Sequence, residues 1–393
     1  MSFRPCWVEI STRVLEDNFR FLQSLAPAEA ELLAIVKGDA YGHSVEVCAP
    51  ALAAAGAKWL GVTSVEEGAA VRALCPGARV LVIGGVFAGQ GEAALANRLT
   101  PSLWEHWQFD EIESAARAAG AAPQSIAVHL ELDTGMSRQG VSLEASGTLV
   151  SILSRFHPAS PLRLEGVMTH LYAADESDGA ATAGQLGVLD AALTRIDELG
   201  HWAELLSVGN SASILGGQAG ALAALAARHG MKLLLRPGIA LYGVVPRIEP
   251  ELPDLSDAAA NLRPVLAWKS QVVSVREVPQ GAAVGYNGTF VASEPMRLAL
   301  VAVGYADGLD RSLGNRFSVL VRGQGAPLVG RISMDQTVLD VTEIPDAAPG
   351  DEVVLIGEQI GQTISAFEHA DAAGTIPWEV FTRIAARVRR IAV

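Results

Sequence analysis

Cysteine is scarce in this sequence, and positively charged residues are fewer than negatively charged ones. It has three cysteines, Cys6, Cys48 and Cys75, whose spacing matches neither a disulfide framework nor a zinc site, so we expect no metal. The formal net charge of −14 makes nucleic acids and anionic membrane surfaces poor partners. The first residues, Met-Ser-Phe-Arg-Pro-Cys-Trp, lack the apolar segment of a secretory signal, so we expect a cytoplasmic protein.

Short apolar runs alternate with amphipathic segments over the first part of the chain. With 393 residues, half of them hydrophobic, the chain is long enough for two domains. Segments such as Ser44–Ala55 and Gln185–Leu199 have helical periodicity. Strand–helix alternation repeated eight times predicts an α/β fold, a (β/α)8 TIM-like barrel over residues 10–246. The predicted strands are Leu32–Lys37, Lys58–Thr63, Arg79–Gly84, Leu99–Leu103, Ile126–Leu132, Arg163–His170, Glu204–Gly209 and Met231–Arg236.

A second, mostly β domain is predicted over residues 247–393, and residues 1–9 are expected to pack with it. Ile248–Asn261 is rich in proline and acidic residues and has the composition of a linker. The uncharged stretch Leu205–Ala227 is long enough to span a membrane, but its polar residues favour a strand, a loop and an alanine-rich helix. Strand-like runs beyond the linker are Val272–Val278, Arg297–Val303, Ser318–Val321, Thr337–Val341 and Glu352–Ile356.

Charged residues end several predicted strands, where barrels of this kind place their active sites. Lys37, His170 and Arg236 end the first, sixth and eighth runs, while Glu131 and Arg138 lie near the end of the fifth. The loops after the seventh and eighth strands commonly bind phosphate. Residues of these loops that could supply hydroxyl and backbone N–H donors are Asn210, Ser211, Gly238 and Ile239.

Lys37 is unusual because it ends an apolar run, Leu-Leu-Ala-Ile-Val-Lys. Burial lowers the pKa of a lysine, and the neutral amine attacks aldehydes. A lysine at a strand end can also extend its ammonium group into water while its stem stays buried. Composition and position alone leave both interpretations open.

A series of short motifs runs along nearly the whole chain. Residues 34–43 read Ala-Ile-Val-Lys-Gly-Asp-Ala-Tyr-Gly-His, and residues 132–138 read Leu-Asp-Thr-Gly-Met-Ser-Arg. Other motifs lie at residues 169–170, 209–212, 236–243, 284–286, 304–308 and 330–335. In this order they resemble the alanine racemase family, and the first looks like its attachment motif for pyridoxal phosphate (PLP).

The resemblance implies a PLP-dependent isomerase, an alanine racemase that supplies D-alanine for the peptidoglycan of the cell wall. Lys37 would hold PLP through a Schiff base and act as one of two acid/base groups. Tyr286 would be the other, contributed by the partner subunit of a head-to-tail homodimer, since a racemase needs one group on each face of the substrate Cα. Considered alone, Tyr286 could be an ordinary strand tyrosine, although its Gly-Tyr-Asn-Gly setting favours a loop tip.

Arg236 and His170 acquire roles from the same resemblance. Arg236 would donate to the pyridine nitrogen of PLP. Because arginine keeps its proton in proteins, that nitrogen would stay unprotonated, and the ring would withdraw electrons only weakly. His170 would lie between Arg236 and Tyr286 of the partner subunit. A purely structural histidine is the alternative, and the sequence alone does not decide between them.

The resemblance also assigns contacts to the phosphate and to the substrate. Arg138 would contact the PLP phenolic oxygen and the substrate carboxylate, and the N–H of Met334 would complete that carboxylate site with Asp335 in support. The phosphate cradle would include Tyr41, Ser211, Gly238 and Ile239, together with Asn210. The substrate-access segments would contain Tyr305, Asp175, Arg311 and Arg331, for whose charged members simple surface charge is the alternative.

Two residues depart from the family pattern. Many members carry a carbamylated lysine where this chain has Glu131, and we hypothesise that Glu131 pairs with Arg138 and removes any dependence on carbon dioxide. The alternative is a glutamate inside the barrel that pairs with another group. Trp378 replaces a tyrosine that usually donates to the phosphate and borders the substrate pocket. Indole offers one N–H and more bulk, which puts strict alanine specificity in doubt; packing at an interface is the alternative role of Trp378.

Three other functions stay open at this stage. Trp378 keeps a serine or broad-specificity amino-acid racemase in consideration. A barrel-type PLP decarboxylase of basic amino acids pairs the pyridine nitrogen with an acid, which Arg236 opposes. A non-catalytic PLP-binding protein of this barrel type lacks a second β domain, and this chain is predicted to have one.

Overall fold

The computed structural model describes residues 4–143, 146–176, 178–248 and 260–393. Contacts divide the chain into two compact units. The larger takes in the described residues of Arg13–Ala40 and Cys48–Arg263, and the smaller takes in those of Met1–Thr12, Tyr41–Val47 and Pro264–Val393. Most of the predicted linker, residues 249–259, lies outside the described residues.

Eight parallel strands close into a barrel in the larger unit. Each strand pairs with the next, and the eighth pairs with the first, so the sheet has no free edge along this circuit. Most of their residues are buried, including both alternating sets of side chains, as expected for parallel strands covered by helices. The first to eighth barrel strands are Glu31–Ile35, Trp59–Val62, Arg79–Val82, Thr100–Leu103, Ile126–Asp133, Leu162–Met168, Leu205–Ser207 and Lys232–Leu235. The predicted (β/α)8 barrel is confirmed.

Helices follow the barrel strands in the order that the alternation predicts. The uncharged stretch Leu205–Ala227 forms a strand and two helices, as its polar residues indicated. Within the described ranges, no helix is both long and apolar enough to cross a membrane. The helices of this part of the chain are Thr12–Ser24, Val45–Ala54, Val65–Leu74, Gly91–Ala96, His106–Ala118, Ser146–Leu153, Ala180–Glu198, Ser211–Leu215 and Ala219–Arg228, followed by the 3-10 turn Ile239–Tyr242.

A cluster of charged and aromatic side chains lies beside the first residues of the second and third barrel strands, Trp59 and Arg79. The carboxylate of Glu165 is buried and accepts from Arg79 at 2.5 Å and from Arg163 at 2.8 Å. The guanidinium carbon of Arg79 lies 3.8 Å from the ring centre of Trp59, and the buried ring of His129 packs against the same indole with ring centres 5.9 Å apart. We call these five residues the barrel-floor cluster.

The smaller unit is mostly β, as predicted. Cys6–Ile10 pairs antiparallel with Leu266–Val278 and parallel with Arg389–Ala392. The other strands are Met296–Val301, Ser318–Val321, Gln324–Pro327, Thr337–Asp340, Glu352–Gln359 and Gln362–Ile364, with a separate hairpin of Ala283–Val284 and Phe290–Val291. The helices are Ala366–Ala373 and Pro377–Arg383, and the 3-10 turns are Tyr286–Gly288, Tyr305–Asp307 and Arg311–Leu313.

Candidate active site

The carboxyl ends of the barrel strands bring together the charged residues that the sequence singled out. Lys37 follows the first strand, Glu131 lies in the fifth, and Arg236 follows the eighth. Because parallel strands end at one mouth of a barrel, their terminal side chains converge there. The convergence has an electrostatic consequence, since the charges of Arg138 and Arg236 both act on the pKa of Lys37.

The amine of Lys37 is held towards its neutral form. Burial lowers its pKa, the positive charge of Arg138 lowers it further, and Arg236 adds to this effect. The carboxylate of Glu67 opposes these effects, because its negative charge raises the pKa of Lys37. Nζ has no hydrogen-bond acceptor among the described residues. A lowered pKa raises the fraction of neutral amine, which is the nucleophilic form.

The backbone after Lys37 forms a left-handed turn. Gly38, Asp39 and Ala40 have φ of 62°, 54° and 56°, and Tyr41 continues at 54°. Left-handed helical geometry costs roughly 1–2 kcal/mol for each residue that is not glycine. Backbone strain of this kind persists only where the surroundings fix it, and it clusters at functional sites.

The guanidinium of Arg236 is buried and anchored on one side. Nη1 donates to the carbonyl of Ser207 at 2.5 Å and to its hydroxyl at 3.1 Å, and Nη2 donates to the carbonyl of Thr169 at 2.7 Å. Burial lowers the pKa of Arg236 to about 10, so the group keeps its charge at neutral pH. Its Nε–H has no acceptor among the described residues and stays available to a ligand.

His170 is neutral in this environment. Burial and the charges of Arg236, Arg138 and Lys37 lower its pKa to about 3. Nη2 of Arg236 donates to Nδ1 of His170 at 3.1 Å. A neutral imidazole that accepts at Nδ1 carries its proton on Nε2, so His170 presents a donor on its other side.

The loops after the seventh and eighth strands present backbone N–H groups. The hydroxyl of Ser211 accepts from the N–H of Gly238 at 3.0 Å and from that of Ala240 at 3.2 Å, which ties the two loops together. The N–H of Ile239, between them, has no acceptor among the described residues. The side chain of Asn210 accepts from the N–H of Ser213 at 3.1 Å, so it caps the short helix Ser211–Leu215.

The expected pairing of Glu131 with Arg138 is wrong. The carboxylate of Glu131 instead accepts from Nε2 of Gln139 at 2.7 Å and from the hydroxyl of Ser102 at 3.4 Å. Arg138 is exposed and makes no ion pair within the described ranges. Burial raises the pKa of Glu131, and a neutral amide beside a buried carboxylate avoids the desolvation of a second charge.

The loop that carries Arg138 is fixed at both ends. Oδ1 of Asp133 accepts from the N–H groups of Gly135 at 2.9 Å and of Ser137 at 3.0 Å. Gln139 donates to the carbonyl of Ile83 at 3.1 Å as well as to Glu131. These contacts hold the backbone on either side of Arg138, whose guanidinium makes none of them.

Three predicted site residues of the smaller unit expose large side chains. Tyr286 is 65% exposed, Met334 is 53% exposed and Tyr305 is 43% exposed. Tyr286 begins a 3-10 turn between the hairpin strands Ala283–Val284 and Phe290–Val291, so the predicted loop tip is confirmed.

A buried acid that sequence reasoning missed organises the segments around Tyr305 and Met334. Asp307 is buried and accepts from Arg387 at 2.8 Å, from Arg4 at 2.8 Å and from the N–H of Gly304 at 2.9 Å. Arg387 also donates to the carboxylate of Asp335 at 2.8 Å. The Gly-Tyr-Ala-Asp-Gly motif draws attention to Asp307 in the sequence. Its partners Arg4 and Arg387 lie far from it along the chain, so the pattern does not predict these contacts.

Trp378 and Tyr41 also belong to the smaller unit. Trp378 lies in the first turn of Pro377–Arg383, where its carbonyl accepts from the hydroxyl of Thr382 at 2.8 Å. Next to Tyr41, a Cβ at Gly42 would lie 2.2 Å from the carbonyl oxygen of Phe381, so only glycine fits there. Their predicted phosphate contacts stay predictions.

The barrel residues suit PLP in three respects. Lys37 supplies an amine of lowered pKa for the aldehyde, Arg236 keeps an unpaired Nε–H for a ring-nitrogen acceptor, and the N–H of Ile239 is open to a phosphate oxygen. These groups match three polar parts of the cofactor, namely its aldehyde, its ring nitrogen and its phosphate.

Comparisons with known proteins agree with this fit. The family models for the alanine racemase N-terminal and C-terminal domains match residues 10–246 and 265–392. An alanine racemase of Halothermothrix orenii is 36% identical over 387 residues, which cover 98% of this chain and 96% of the relative. The crystal structure of Bacillus anthracis alanine racemase with bound L-Ala-P has a TM-score of 0.87 at 32% identity, covering 100% of this chain and 96% of that one.

A second solved structure bears on the cofactor. Alanine racemase of Bartonella henselae with covalently bound pyridoxal phosphate has a TM-score of 0.83 at 26% identity, and the match covers 99% of each chain. The predicted family, racemase activity and cofactor are thereby confirmed. This chain belongs to the alanine racemase family of PLP-dependent isomerases.

Proposed function

We propose that this enzyme interconverts L-alanine and D-alanine with two acid/base groups, Lys37 and Tyr286 of the partner subunit, and supplies D-alanine for peptidoglycan. The observation that carries the proposal is the fixed cation Arg236, whose Nε–H has no hydrogen-bond acceptor among the described residues. An acid at that place would favour decarboxylation, which needs a stronger electron sink.

Lys37, Arg236 and Ile239 would hold the cofactor in residues 10–246. When bound, PLP withdraws electrons from the substrate Cα and makes its hydrogen acidic. The Nε–H of Arg236 would donate to the ring nitrogen, and the loop of Ser211, Gly238 and Ile239 would bind the phosphate. Arg138, whose guanidinium makes no ion pair in the described part of the chain, would pair with the substrate carboxylate.

Lys37 and Tyr286 would move protons at opposite faces of the substrate. The lowered pKa of Lys37 leaves its amine free to accept a proton. Tyr286 of the partner subunit would accept or donate through its phenolic oxygen. The Nε2–H of His170 can donate to that oxygen and so favour the phenolate.

A homodimer is part of this proposal because Tyr286 is exposed in the single chain. Catalytic side chains need a water-poor site, and 65% exposure gives Tyr286 none within its own unit. Met334 and Tyr305 are exposed in the same way and would complete the carboxylate site and the access path from residues 247–393. The three free, buried cysteines support the proposed cytoplasmic location, since a reducing compartment leaves thiols unpaired.

Racemisation of L-alanine and of L-serine by the holoenzyme tests the function. We expect L-alanine to be converted with the higher kcat/KM and no carbon dioxide to be released. Because of Trp378, serine or broad specificity is the second candidate, and an equal or higher kcat/KM for L-serine would establish it. Borohydride reduction of the holoenzyme followed by peptide mapping should place PLP on Lys37, and PLP on Lys58, Lys232 or Lys269 would overturn the site.

A further inference from the structure

We propose that Glu67 is a positioning residue for Lys37, and that its carboxylate fixes the left-handed turn which carries the lysine. This inference rests on the proposed role of Lys37. Oε1 of Glu67 accepts from the N–H of Gly38 at 2.8 Å, and Oε2 accepts from the N–H of Thr63 at 2.8 Å. One carboxylate therefore joins the residue after Lys37 to the end of the second barrel strand.

The sequence around Glu67 would assign it a more ordinary role. Ser64-Val65-Glu66-Glu67 has the spacing of a capping box, in which the glutamate turns back to the N–H of the capping serine. Ser64 does cap the helix Val65–Leu74, since its hydroxyl accepts from the N–H of Glu67 at 3.3 Å. The carboxylate of Glu67, however, is directed to Thr63 and Gly38, so it serves another segment of the barrel.

The backbone of the turn explains why such an anchor is needed. Gly38, Asp39 and Ala40 are all left-handed, and two of them have a Cβ that disfavours this geometry. The N–H of Ala40 donates to the carbonyl of Val36 at 2.9 Å, and the Glu67 contact adds a bond at Gly38, the first residue of the turn. A hydrogen bond to a charged acceptor is the stronger kind, which suits a strained segment.

The charge of Glu67 has a second effect on the same lysine. Arg138 and Arg236 lower the pKa of Lys37, and Glu67 raises it. The anion therefore limits how far the amine is deprotonated while its oxygens fix the neighbouring peptide. Glutamine at this position would have nearly the same size, keep one oxygen acceptor and lose the charge. A change in Glu67→Gln therefore reports on the carboxylate and not on side-chain bulk.

The test compares Glu67→Gln with Glu66→Gln in the full chain. Glu66 is a matched control because it lies in the same helical turn and accepts from Nε2 of Gln90 at 2.7 Å, away from the lysine. Hydrogen–deuterium exchange of the holoenzyme is measured for the segments that contain Gly38 and Thr63. In Glu67→Gln we expect exchange at Gly38 to be at least about tenfold faster, the order of protection that a charged acceptor gives. Glu66→Gln should leave it unchanged.

A second measurement detects the effect of the Glu67 charge on Lys37 without an activity assay. In the PLP-free protein, the acylation rate of Lys37 is followed against pH by mass spectrometry, with Lys58, Lys232 and Lys269 as internal references. We expect the midpoint for Lys37 to move to lower pH in Glu67→Gln and to stay in Glu66→Gln. Ser64→Ala should weaken the helix start yet leave exchange at Gly38 unchanged, because it keeps the carboxylate.

The outcomes separate this inference from the proposed function. If exchange at Gly38 in Glu67→Gln matches that in Glu66→Gln, or if Ser64→Ala reproduces the Glu67→Gln result, the positioning role is overturned. If borohydride trapping places PLP on another lysine, the proposed role of Lys37 fails. The hydrogen–deuterium exchange at Gly38 still tests the Glu67–Gly38 contact independently.

Discussion

Nη2 of Arg236 donates to Nδ1 of His170 at 3.1 Å, and this bond fixes which nitrogen of the imidazole carries the proton. Arginine has no acceptor, so Nδ1 must be the lone-pair side and Nε2 the N–H side. The two residues together present a cationic Nε–H from Arg236 and a neutral donor from His170.

We predict that His170 stays neutral down to about pH 4. Its pKa is depressed to about 3, so its ring takes up a proton later than it does in the unfolded chain, near 6.5. Its stabilising effect is therefore full above about pH 6.5 and is lost as the pH falls towards 3. Ring chemical shifts in a histidine NMR titration measure this, and a midpoint of 6 or above for His170 would contradict the Arg236 contact.

We predict that Glu165→Gln in the barrel-floor cluster destabilises the protein by about 1–3 kcal/mol, because Arg79 and Arg163 lose a buried charged acceptor. Urea unfolding measures the change. Glu198→Gln is the control, since Glu198 is exposed and pairs with Arg195 on the surface, at a cost of about 0–1 kcal/mol. Equal changes in the two variants would show that the cluster contributes no more than a surface pair.

Acid should weaken the same cluster. Burial alone would raise the pKa of Glu165, but the neighbouring His129, Arg79 and Arg163 together lower it to about 2. The contribution is present above about pH 4.5 and is lost as the pH falls towards 2. The unfolding free energies of the wild type and of Glu165→Gln should therefore converge as the pH is lowered through this range.

We predict the opposite pH dependence for His229. Its ring bridges Asp197 and Asp190 at 2.8 Å each, and despite partial burial these carboxylates raise its pKa above 6.5. The stabilisation is full below pH 6.5 and is lost as the pH rises through the raised pKa. The difference in Tm between the wild type and His229→Gln should shrink from pH 6 to pH 9. His201→Gln, at a histidine whose pKa is lowered by burial, should show no such trend.

The shared active site predicts complementation between two inactive variants. Lys37→Ala and Tyr286→Phe should each lose activity as homodimers. In a mixed dimer, one site combines both defects, and the other combines Lys37 with Tyr286 of the partner subunit and is intact. Coexpression followed by purification of the mixed dimer should therefore restore activity. If the mixed dimer is as inactive as its parents, Tyr286 does not act across the dimer.

The barrel and the strand-end lysine could be predicted from sequence because each depends on local pattern. Runs such as Leu-Leu-Ala-Ile-Val show up in any window of the chain, and parallel strands bring the residues at their carboxyl ends to one mouth. The same reasoning brought Arg236 to that mouth. The five strand-like runs of the smaller unit were found in the same way.

The contacts that could not be predicted from the sequence depend on which way each side chain points from its loop. Gln139 and Arg138 are neighbours, and only the fold decides which of them reaches Glu131. Glu67 matches a capping pattern that conceals its contact with Gly38. The left-handed turn is equally hidden, because aspartate adopts that geometry only as a single residue and alanine disfavours it, whereas Asp39 and Ala40 adopt it in succession.

The central claim is that Lys37 and Tyr286 serve opposite faces of one substrate, and enantiomer-resolved hydrogen exchange tests it most directly. Cα–H exchange with deuterated solvent is measured for L-alanine and D-alanine separately, in the wild type and in Tyr286→Phe. We predict that Tyr286→Phe slows exchange from one enantiomer far more than from the other, because Lys37 still serves its own face. Equal slowing for both enantiomers would contradict the claim.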